Sequence, residues 1–445
     1  MVLAVLINFL SLFLYIFAPS DYSLSFCILQ CAIFLISGVN SYLVDKNRDF
    51  PSFHLIFSIS FFCVTYLYPL FVYNISSSFS LFAIASYSDS IISKATALAT
   101  FAYSCYCTGY VHQLKRNRIK PQIQKSYVWS SRKIESVNKI TIFIFILFVL
   151  FGGLDFYTAM YNKDAAEVGG ISKYLVMILQ SFIIVLAMLY IHSNTNKVRI
   201  KILVTLVAIS CIIILTGSRT LPLFTLLLVG YVVCYVYKIK KLYIFLAIIL
   251  GVVGMSMIGF VRTGDVASGL ASYSYETSEI GRLDMFTDLI VCNRNLYAAY
   301  DIVDKTSCTY GLTFIGPLFS PIPFLQSIFL KIVNVPGDYL YSAAFITRYD
   351  LGADRSVGLG THTVADVYLT FGFIGIILFY YLGRLIVYAR TKMRGGDPVA
   401  AIIYLTLFAD AVYLTRASLL NDLRNICWAL LIYYFFLKSV RKSVI

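Results

Sequence analysis

The sequence predicts an all-α fold, a polytopic membrane helix bundle with about 12 transmembrane helices and one long outside loop. Of its 445 residues, 59% are apolar and only 13% are charged, whereas a soluble domain is about 45–50% apolar and about 25% charged. The mean hydropathy is +0.80, and apolar stretches recur along the whole chain. A water-soluble fold is therefore excluded. A disordered chain is excluded as well, because 35 Phe and 35 Tyr cannot all stay solvated.

The predicted elements are apolar runs, since a bilayer core about 30 Å thick needs about 20 apolar residues per helix. Residues 1–260 hold nine of them. The first has no basic leader and no small-residue cleavage site, so it is predicted to be a retained helix. Residues 362–445 hold the last three. In chain order the runs lie at roughly 2–19, 22–44, 51–73, 90–112, 140–160, 173–192, 202–216, 221–237, 242–260, 362–383, 398–415 and 420–437.

The basic residues between these runs predict the orientation of the bundle. With a cytoplasmic N-terminus, the inside loops hold 22 Lys and Arg residues, whereas the short outside loops hold five. This asymmetry agrees with the positive-inside rule and places both termini in the cytoplasm. The net charge of +14 is thus explained by topology, which argues against nucleic acid as a partner.

Residues 261–361 form the predicted outside loop, which contains seven basic and ten acidic residues. A loop of this length within a compact bundle is usually functional. Its stretch 323–330 is apolar enough to lie on the outer leaflet. Cys292 and Cys308 share this loop, and the sequence leaves open whether they form a disulfide. No metal-binding or nucleotide-binding motif occurs in the chain, so no cofactor is expected.

Ionisable groups at the outer ends of the helices are the candidate functional residues. The hairpin 202–237 has 36 residues, which reach about 54 Å as a helix, less than the roughly 60 Å that two crossings require. Arg219 at its tip should therefore lie near or below the outer headgroups. It either binds a diphosphate through its guanidinium group or contacts a lipid phosphate and anchors the turn.

The outside loop adds arginines of the same kind. It contains five Arg and two Lys residues, a bias that favours recognition of phosphate because the planar guanidinium group binds it through two hydrogen bonds. Each of these arginines could equally pair with one of the ten loop carboxylates. The five are Arg262, Arg282, Arg294, Arg348 and Arg355.

The stretch 358–375 contains His362 and Asp366, which are four residues apart and therefore share one helix face. Such a pair can serve as a general base with its orienting carboxylate, since His titrates near neutral pH. The alternative is an interfacial His that is capped by its neighbour. Tyr368 lies on another face of the same two turns.

A last group of charges lies between the final two predicted spans. Arg416, Asp422 and Arg424 cluster there within otherwise apolar sequence. Charges at this place are costly unless they are paired or take part in function. Pairing of Arg416 with Asp422 is therefore the alternative to a functional role.

These features together resemble the bacterial O-antigen polymerases, the oligosaccharide repeat-unit polymerases of the Wzy type. The resemblance rests on the hairpin tip 216–219, on the long loop that runs into a Tyr-x-x-x-Gly-x-x-Gly helix (Tyr368, Gly372, Gly375), and on Arg416 between the last two spans. It implies a GT-C-like glycosyltransferase of the bacterial inner membrane. Such an enzyme joins repeat units carried on undecaprenyl diphosphate at the periplasmic face, without a metal or a nucleotide sugar.

For this sequence the resemblance implies specific roles. Arg219 and Arg262 would bind the diphosphate of the donor, while His362 and Asp366 would take the proton from the acceptor hydroxyl. The remaining predicted substrate-binding residues would hold the diphosphate or the sugar; they are Arg282, Arg348, Arg355, Arg416 and Tyr368. The implied partners are the lipid-linked oligosaccharide, membrane lipids and a chain-length regulator protein.

Two other functions stay open from the sequence. An O-antigen ligase uses the same donor but transfers the glycan to lipid A-core. A lipid-linked oligosaccharide flippase or another transporter also fits twelve spans. Transporters usually contain internal repeats and binding sites at the bilayer midplane, whereas the ionisable groups of this chain crowd the predicted outer rim.

Overall fold

The computed structural model consists of α-helices joined by short turns, and no strand occurs among the residues that it describes. This confirms the predicted all-α fold class. The described residues are 1–46, 48–73, 87–119, 129–154, 170–193, 195–214, 220–237, 239–240, 242–244, 246, 287–353 and 358–438.

Eight α-helices are described in the first half of the chain. They are α1 (Val2–Ile16), α2 (Leu24–Val44), α3 (Phe53–Leu67), α4 (Asp89–Ile119), α5 (Ser131–Leu150), α6 (Gly170–His192), α7 (Asn196–Ile214) and α8 (Thr220–Tyr237). A π-helical turn, Tyr68–Val72, continues α3.

The second half of the chain starts with short helices and ends with longer ones. They are α9 (Cys292–Lys305), α10 (Leu312–Phe319), α11 (Leu325–Val333), α12 (Ser342–Leu351), α13 (Thr363–Phe371), α14 (Ile377–Arg394), α15 (Pro398–Ala409) and α16 (Leu423–Leu437). Single helical turns lie at Thr287–Ile290, Gly337–Leu340, Gly372–Ile376 and Tyr413–Arg416.

Several of these helices have the length and composition of membrane spans. Among the described residues, five stretches are long and apolar enough to cross a bilayer: Leu24–Val44, Phe53–Val72, Ile171–His192, Thr220–Tyr237 and Thr363–Arg394. Shorter apolar helices are Val2–Ile16, Pro398–Ala409 and Leu423–Leu437. Each overlaps a predicted span, whereas the predicted span 242–260 lies almost wholly outside the described residues. The chain is thus an all-helical protein with several candidate membrane helices.

The observed helices extend past the predicted runs where polar residues follow an apolar stretch. α4 continues through Lys115 to Ile119, and α5 begins at Ser131, before its apolar part. Hydropathy locates only the part of a helix that suits hydrocarbon, while backbone hydrogen bonding carries the helix further into polar surroundings.

Two glycines let α4 and α14 pack backbone against backbone. A Cβ atom on Gly109 would lie 1.9 Å from the carbonyl oxygen of Tyr380, and one on Gly383 would lie 2.1 Å from that of Tyr106. Small residues at helix crossings allow this close approach within membranes. The pair forms one side of a groove that is described below.

Polar side chains fix the starts of several helices. Ser52 Oγ accepts a hydrogen bond from the N–H of Leu55 at 3.3 Å, at the start of α3. Asp397 accepts from the N–H groups of Val399 and Ala400 at 2.9 and 3.3 Å, at the start of α15. These contacts satisfy N–H groups that the first helical turn leaves without a partner.

The described part of the predicted outside loop is helical and packs onto the bundle. α9 is mostly buried, and Asn293 Nδ2 donates to the carbonyl oxygen of Thr65 at 2.9 Å. Arg294 and Asp350 form a 2.7 Å ion pair whose side chains are 1% and 2% exposed. The hydroxyl of Tyr87 donates to the same carboxylate at 2.7 Å. α9 and α12 are thus tied to each other and to the segment before α4.

The apolar stretch of that predicted loop forms α11, which has no buried residue. Phe324, Ile328 and Ile332 are 72%, 53% and 77% exposed. So much apolar surface on one short helix is typical of a segment that lies in a membrane interface. Its insertion into the outer leaflet stays a prediction.

Candidate active site

α13 begins at His362, whose imidazole is fully buried. Its Nδ1 accepts a hydrogen bond from the N–H of Val364 at 3.0 Å and thereby caps the helix. This bond assigns the ring proton to Nε2, which lies 3.2 Å from Thr65 Oγ1 and donates to it. Phe61 meets the ring edge-on. His362 therefore holds the start of α13 against α3.

One helical turn later, the buried carboxyl group of Asp366 connects three elements. Ser342 Oγ donates to Oδ1 at 2.5 Å from the start of α12. Ser418 Oγ and the N–H of Leu419 donate to Oδ2, both at 2.9 Å, from the segment before α16. The carboxyl group is therefore a junction between α12, α13 and the segment between α15 and α16.

The structure places the predicted pair, His362 and Asp366, on one short helix without joining their side chains. The His362 side chain bonds to Val364 within α13 and to Thr65 on α3, and that of Asp366 bonds only to other elements in the described part of the chain. Tyr368 stacks on Tyr300, with ring centroids 5.6 Å apart and an interplanar angle of 8°, and its hydroxyl hydrogen-bonds to Tyr15. These contacts favour a role in positioning α13 for all three residues.

The two glycines of the predicted motif end α13. Gly372 has φ = +62°, in the left-handed region that glycine adopts without strain. A Cβ atom on Gly375 would lie 2.8 Å from the carbonyl oxygen of Val367. Their spacing after Tyr368 thus has a structural reason, the tight turn from α13 into α14.

The segment between α15 and α16 carries a second group of charged residues. Asp410 and Asp422, which we call the carboxyl pair, are 7% and 2% exposed and lie close enough to influence each other electrostatically. Asn421 Nδ2 donates to Asp410 Oδ2 at 3.1 Å. Arg416 acts electrostatically on Asp410, and Arg424 on Asp422. The alternative predicted from the sequence was a direct ion pair of Arg416 with Asp422. The described residues instead contain two carboxyl groups, Asp410 and Asp422, each beside one arginine.

This segment is anchored from two sides. Ser60 on α3 donates to the carbonyl oxygen of Val412 at 2.9 Å and lies 2.7 Å from Thr415 Oγ1. On the other side Asp366 holds Ser418, as described above. Fixing a catalytic group in this way lowers the reorganisation that a reaction requires.

Tyr341, just before α12, lies near Arg424. Gln326 Nε2 donates to its hydroxyl and, at 2.5 Å, to the carbonyl oxygen of Gly316. Burial raises the pKa of Tyr341, while Gln326 and the nearby Arg424 oppose this shift. The phenol therefore stays protonated and offers a polar group beside the arginine.

A groove of about 1010 Å³ lies between α4, α14, α15 and α16, and Asp422 is on its wall. Leu378, Leu382 and Leu385 on α14 face Leu423 on α16 across it. Such walls suit an alkyl or isoprenoid chain. Asp422 is therefore the member of the carboxyl pair that adjoins the groove, with both of its carboxyl oxygens buried.

The other predicted arginines have separate outcomes. Arg348 pairs with Asp338 at 3.2 Å, with side chains 36% and 30% exposed, and Arg294 is neutralised by Asp350. Both arginines thus form the ion pair with a loop carboxylate that the sequence left open as the alternative to phosphate binding. Four predicted site residues lie outside the described residues: Arg219, Arg262, Arg282 and Arg355.

The described residues contain neither a disulfide at the two cysteines named from the sequence nor a cluster of metal-binding side chains. Cys292 and Cys308 are not joined by a disulfide. Over the described ranges, no group of three or more His, Cys, Asp or Glu side chains is arranged to hold a metal ion.

The sequence analysis missed Asp410, Asn421 and the two serines that hold Asp366. Asp410 carried a usable signal, because it is a carboxylate inside the predicted span 398–415, and ionisable residues within spans are functional candidates by default. Ser342 and Ser418 carried none, since their contacts with Asp366 join parts of the chain 24 and 52 residues away.

Comparisons with known proteins identify the family. The family model of the O-antigen polysaccharide polymerase Wzy matches residues 1–444. No curated protein and no solved structure matches the chain. The match covers nearly the whole sequence and agrees with the resemblance carried by the motifs, with the helical fold and with the candidate membrane spans. The chain therefore belongs to the Wzy family of O-antigen polymerases, multi-pass membrane proteins that polymerise O-antigen repeat units as glycosyltransferases.

Proposed function

We propose that this polymerase transfers the growing glycan from undecaprenyl diphosphate to the next lipid-linked repeat unit at the periplasmic face of the inner membrane. The acceptor hydroxyl attacks the anomeric carbon of the donor glycan, and the bond between that carbon and the diphosphate oxygen breaks. The diphosphate leaves with the bonding electrons, while a base takes the hydroxyl proton. The reaction thus needs a base and a cationic site for the leaving group.

We assign the base to the carboxyl pair. The observation that carries this assignment is the position of Asp422, which adjoins both Asp410 and Arg424 and lies on the wall of the groove. Two adjacent carboxyl groups that share one proton keep one carboxylate available to accept another. The lateral groove would bring a lipid-linked substrate from the bilayer to the residues that cover this carboxylate, which would have to become exposed for the reaction.

Arginines supply the cationic site in this proposal. Arg416 and Arg424 flank the carboxyl pair, and guanidinium groups bind diphosphate through two parallel hydrogen bonds. Four arginines named from the sequence are proposed to complete the site: Arg219, Arg262, Arg282 and Arg355. Arg348 could join it after release from Asp338, since this surface pair is worth little.

For the residues named as catalytic from the sequence, we propose a positioning role. His362 and Asp366 are buried, and their polar atoms bind α3, α12 and the segment before α16. Tyr368 positions the other end of α13 through Tyr300. All three would influence the reaction by holding the carboxyl pair in place.

We also propose the membrane arrangement predicted from the sequence. Twelve spans cross the inner membrane with both termini in the cytoplasm, and residues 1–260 and 362–445 form the bundle around the periplasmic segment 261–361. The positive-inside distribution of Lys and Arg supports this orientation. No metal takes part in the proposed mechanism, because arginines stabilise the leaving group, and a chain-length regulator is the proposed protein partner.

Gene deletion followed by complementation tests the proposed function. Without a polymerase the lipopolysaccharide should carry core with a single repeat unit, whereas bare core would indicate a ligase or a flippase. Complementation with Asp422→Asn should leave the single-repeat product. Lys201→Gln, which removes an exposed charge 59% accessible to solvent, should restore the ladder. A normal ladder from Asp422→Asn at wild-type protein level would reject the assigned base.

A further inference from the structure

The groove has a second polar region, at the end of the bundle that the positive-inside rule assigns to the cytoplasm. Arg116 on α4 and Arg384 and Lys392 on α14 line this part of the groove. Asp422, which also lines the groove, directly precedes α16. Leu378 and Lys392, which both line it, are 14 residues apart on α14, which corresponds to about 21 Å. The groove is therefore longer than one leaflet is deep, about 15 Å.

The cations of the groove differ from the other cations of α14. Arg390 pairs with Asp45 at 2.6 Å, with both side chains almost fully buried, and Arg394 pairs with Asp49. By contrast, Arg116, Arg384 and Lys392 have no carboxylate partner among the described residues. The cations of α14 thus fall into two sets. Arg390 and Arg394 pair with carboxylates, whereas Arg384 and Lys392, which line the groove, have no carboxylate partner among the described residues.

Arg384 is the clearest case of a groove cation without a carboxylate partner in the described part of the chain. Its Nε lies 3.4 Å from Gln113 Oε1. Gln113 Nε2 in turn donates to Asn117 Oδ1 at 2.9 Å, and Asn117 Nδ2 donates to Thr391 Oγ1 at 2.9 Å. This chain of amides orients the guanidinium group, whose terminal NH₂ groups have no acceptor in the described part of the structure. An unpaired guanidinium group on a leucine-lined wall is costly unless an anion binds to it.

The open side of the groove is suited to acyl chains. Leu385 is 40% exposed, and Tyr381 and Tyr388 are 55% and 48% exposed. Leu378 and Leu382 continue this surface along α14. A molecule with an anionic head at Lys392 and Arg384 and an apolar tail along these leucines would satisfy both parts of the groove.

We propose that this part of the groove binds one anionic glycerophospholipid of the cytoplasmic leaflet, with its phosphate at Arg116, Arg384 and Lys392 and an acyl chain along α14. Basic sites between helices on the cytoplasmic side suit anionic lipid headgroups. The lipid would neutralise Arg384 and fill the space between α14 and α16. The headgroup site uses none of the residues assigned to the glycosyl transfer, whereas the acyl chain would lie along leucines of the same groove.

Native mass spectrometry of the purified full-length protein tests the site, with phosphatidylglycerol, phosphatidylcholine and undecaprenyl phosphate as probes. The wild type should bind one phosphatidylglycerol about tenfold more tightly than phosphatidylcholine, because the choline ammonium offsets the phosphate charge and each Lys or Arg is worth about 1 kcal/mol beside an anionic lipid. Arg384→Gln combined with Lys392→Gln should abolish this preference. Lys201→Gln combined with Lys305→Gln, an equal charge change at two exposed lysines outside the groove, should keep it.

A second variant separates loss of the site from loss of the fold. Leu385→Trp fills the groove at a position already 40% exposed, so the protein should fold and bind phosphatidylglycerol about tenfold more weakly. Equal binding of both phospholipids by the wild type would overturn the proposal. A preference for phosphatidylglycerol that persists in the double charge variant would overturn it too. Displacement of phosphatidylglycerol by equimolar undecaprenyl phosphate would also overturn it, because it would assign the site to a polyprenyl lipid.

Discussion

Replacing Asp366 distinguishes a positioning role from a chemical one. Its carboxyl group accepts hydrogen bonds from Ser342 Oγ, Ser418 Oγ and the N–H of Leu419 at 2.5, 2.9 and 2.9 Å, with no exposure to solvent. Asp366→Ala leaves all three donors without this acceptor. The hydroxyl groups can turn elsewhere, but the N–H of Leu419 cannot. A buried donor left unpaired costs about 1–3 kcal/mol, so with the lost packing we expect Asp366→Ala to lower the free energy of unfolding by about 3–5 kcal/mol.

Asp366→Asn is the matched conservative variant. With its amide oxygen toward Ser418 and Leu419, it keeps two hydrogen bonds, and its NH₂ group can donate to Ser342. We therefore expect a loss of only about 1–2 kcal/mol and a polymerase that still extends chains. The assay is chemical unfolding of the purified variants in detergent, together with the lipopolysaccharide ladder of the complemented deletion strain.

A third variant tests whether these contacts form one unit. Ser418→Ala alone should cost about 1 kcal/mol, and combined with Asp366→Ala it should cost less than the sum of the two single changes, because both remove the same bond. The positioning role would be refuted if Asp366→Ala unfolded like the wild type while abolishing the ladder. That result would make Asp366 a participant in the chemistry, as the sequence alone suggested.

Three further predictions follow from other parts of the structure. Asp350→Asn should destabilise the fold by about 3–5 kcal/mol, because it leaves Arg294 buried without its counter-ion; an unfolding midpoint equal to that of the wild type would contradict this. Gly383→Leu should separate α4 from α14 and cost about 1–3 kcal/mol or more, and unchanged stability would show that the helices do not pack this closely. Ile332→Cys carrying an environment-sensitive fluorophore should be quenched by lipid-attached quenchers in vesicles, since α11 exposes its apolar side chains; quenching only by water-soluble agents would place α11 away from the bilayer.

The fold class could be predicted from composition because a bilayer imposes a simple rule on sequence. A membrane chain with 59% apolar residues must pair its backbone N–H and C=O groups with one another, which helices do. The described residues confirm the predicted all-α class. Element bounds were harder to predict, as the start of α5 at Ser131 illustrates. Hydropathy identifies the part of a helix in hydrocarbon, and the polar continuation of the same helix has no such signature.

The candidate site was predictable only where contacts are local in sequence. The turn after Tyr368 follows from its glycines, and His362 was correctly predicted at the start of the helix that contains Asp366. The partners of Asp366 could not be found, because Ser342 and Ser418 reach it only through the tertiary fold. Helical spacing places two side chains on one face, but it does not decide which neighbouring helix supplies their hydrogen bonds.

The most direct test of the central claim is glycosyl transfer by purified Asp422→Asn. The amide matches the carboxyl group in size, and it removes one of two acids that face each other, so the variant should unfold at the same denaturant concentration as the wild type or a higher one. With a polyprenyl-diphosphate-linked repeat unit as donor and acceptor, we predict turnover reduced by about 10²–10⁴-fold, the usual contribution of a general base. A correctly folded Asp422→Asn that extends chains at the wild-type rate would contradict the assignment of the carboxyl pair as the catalytic base.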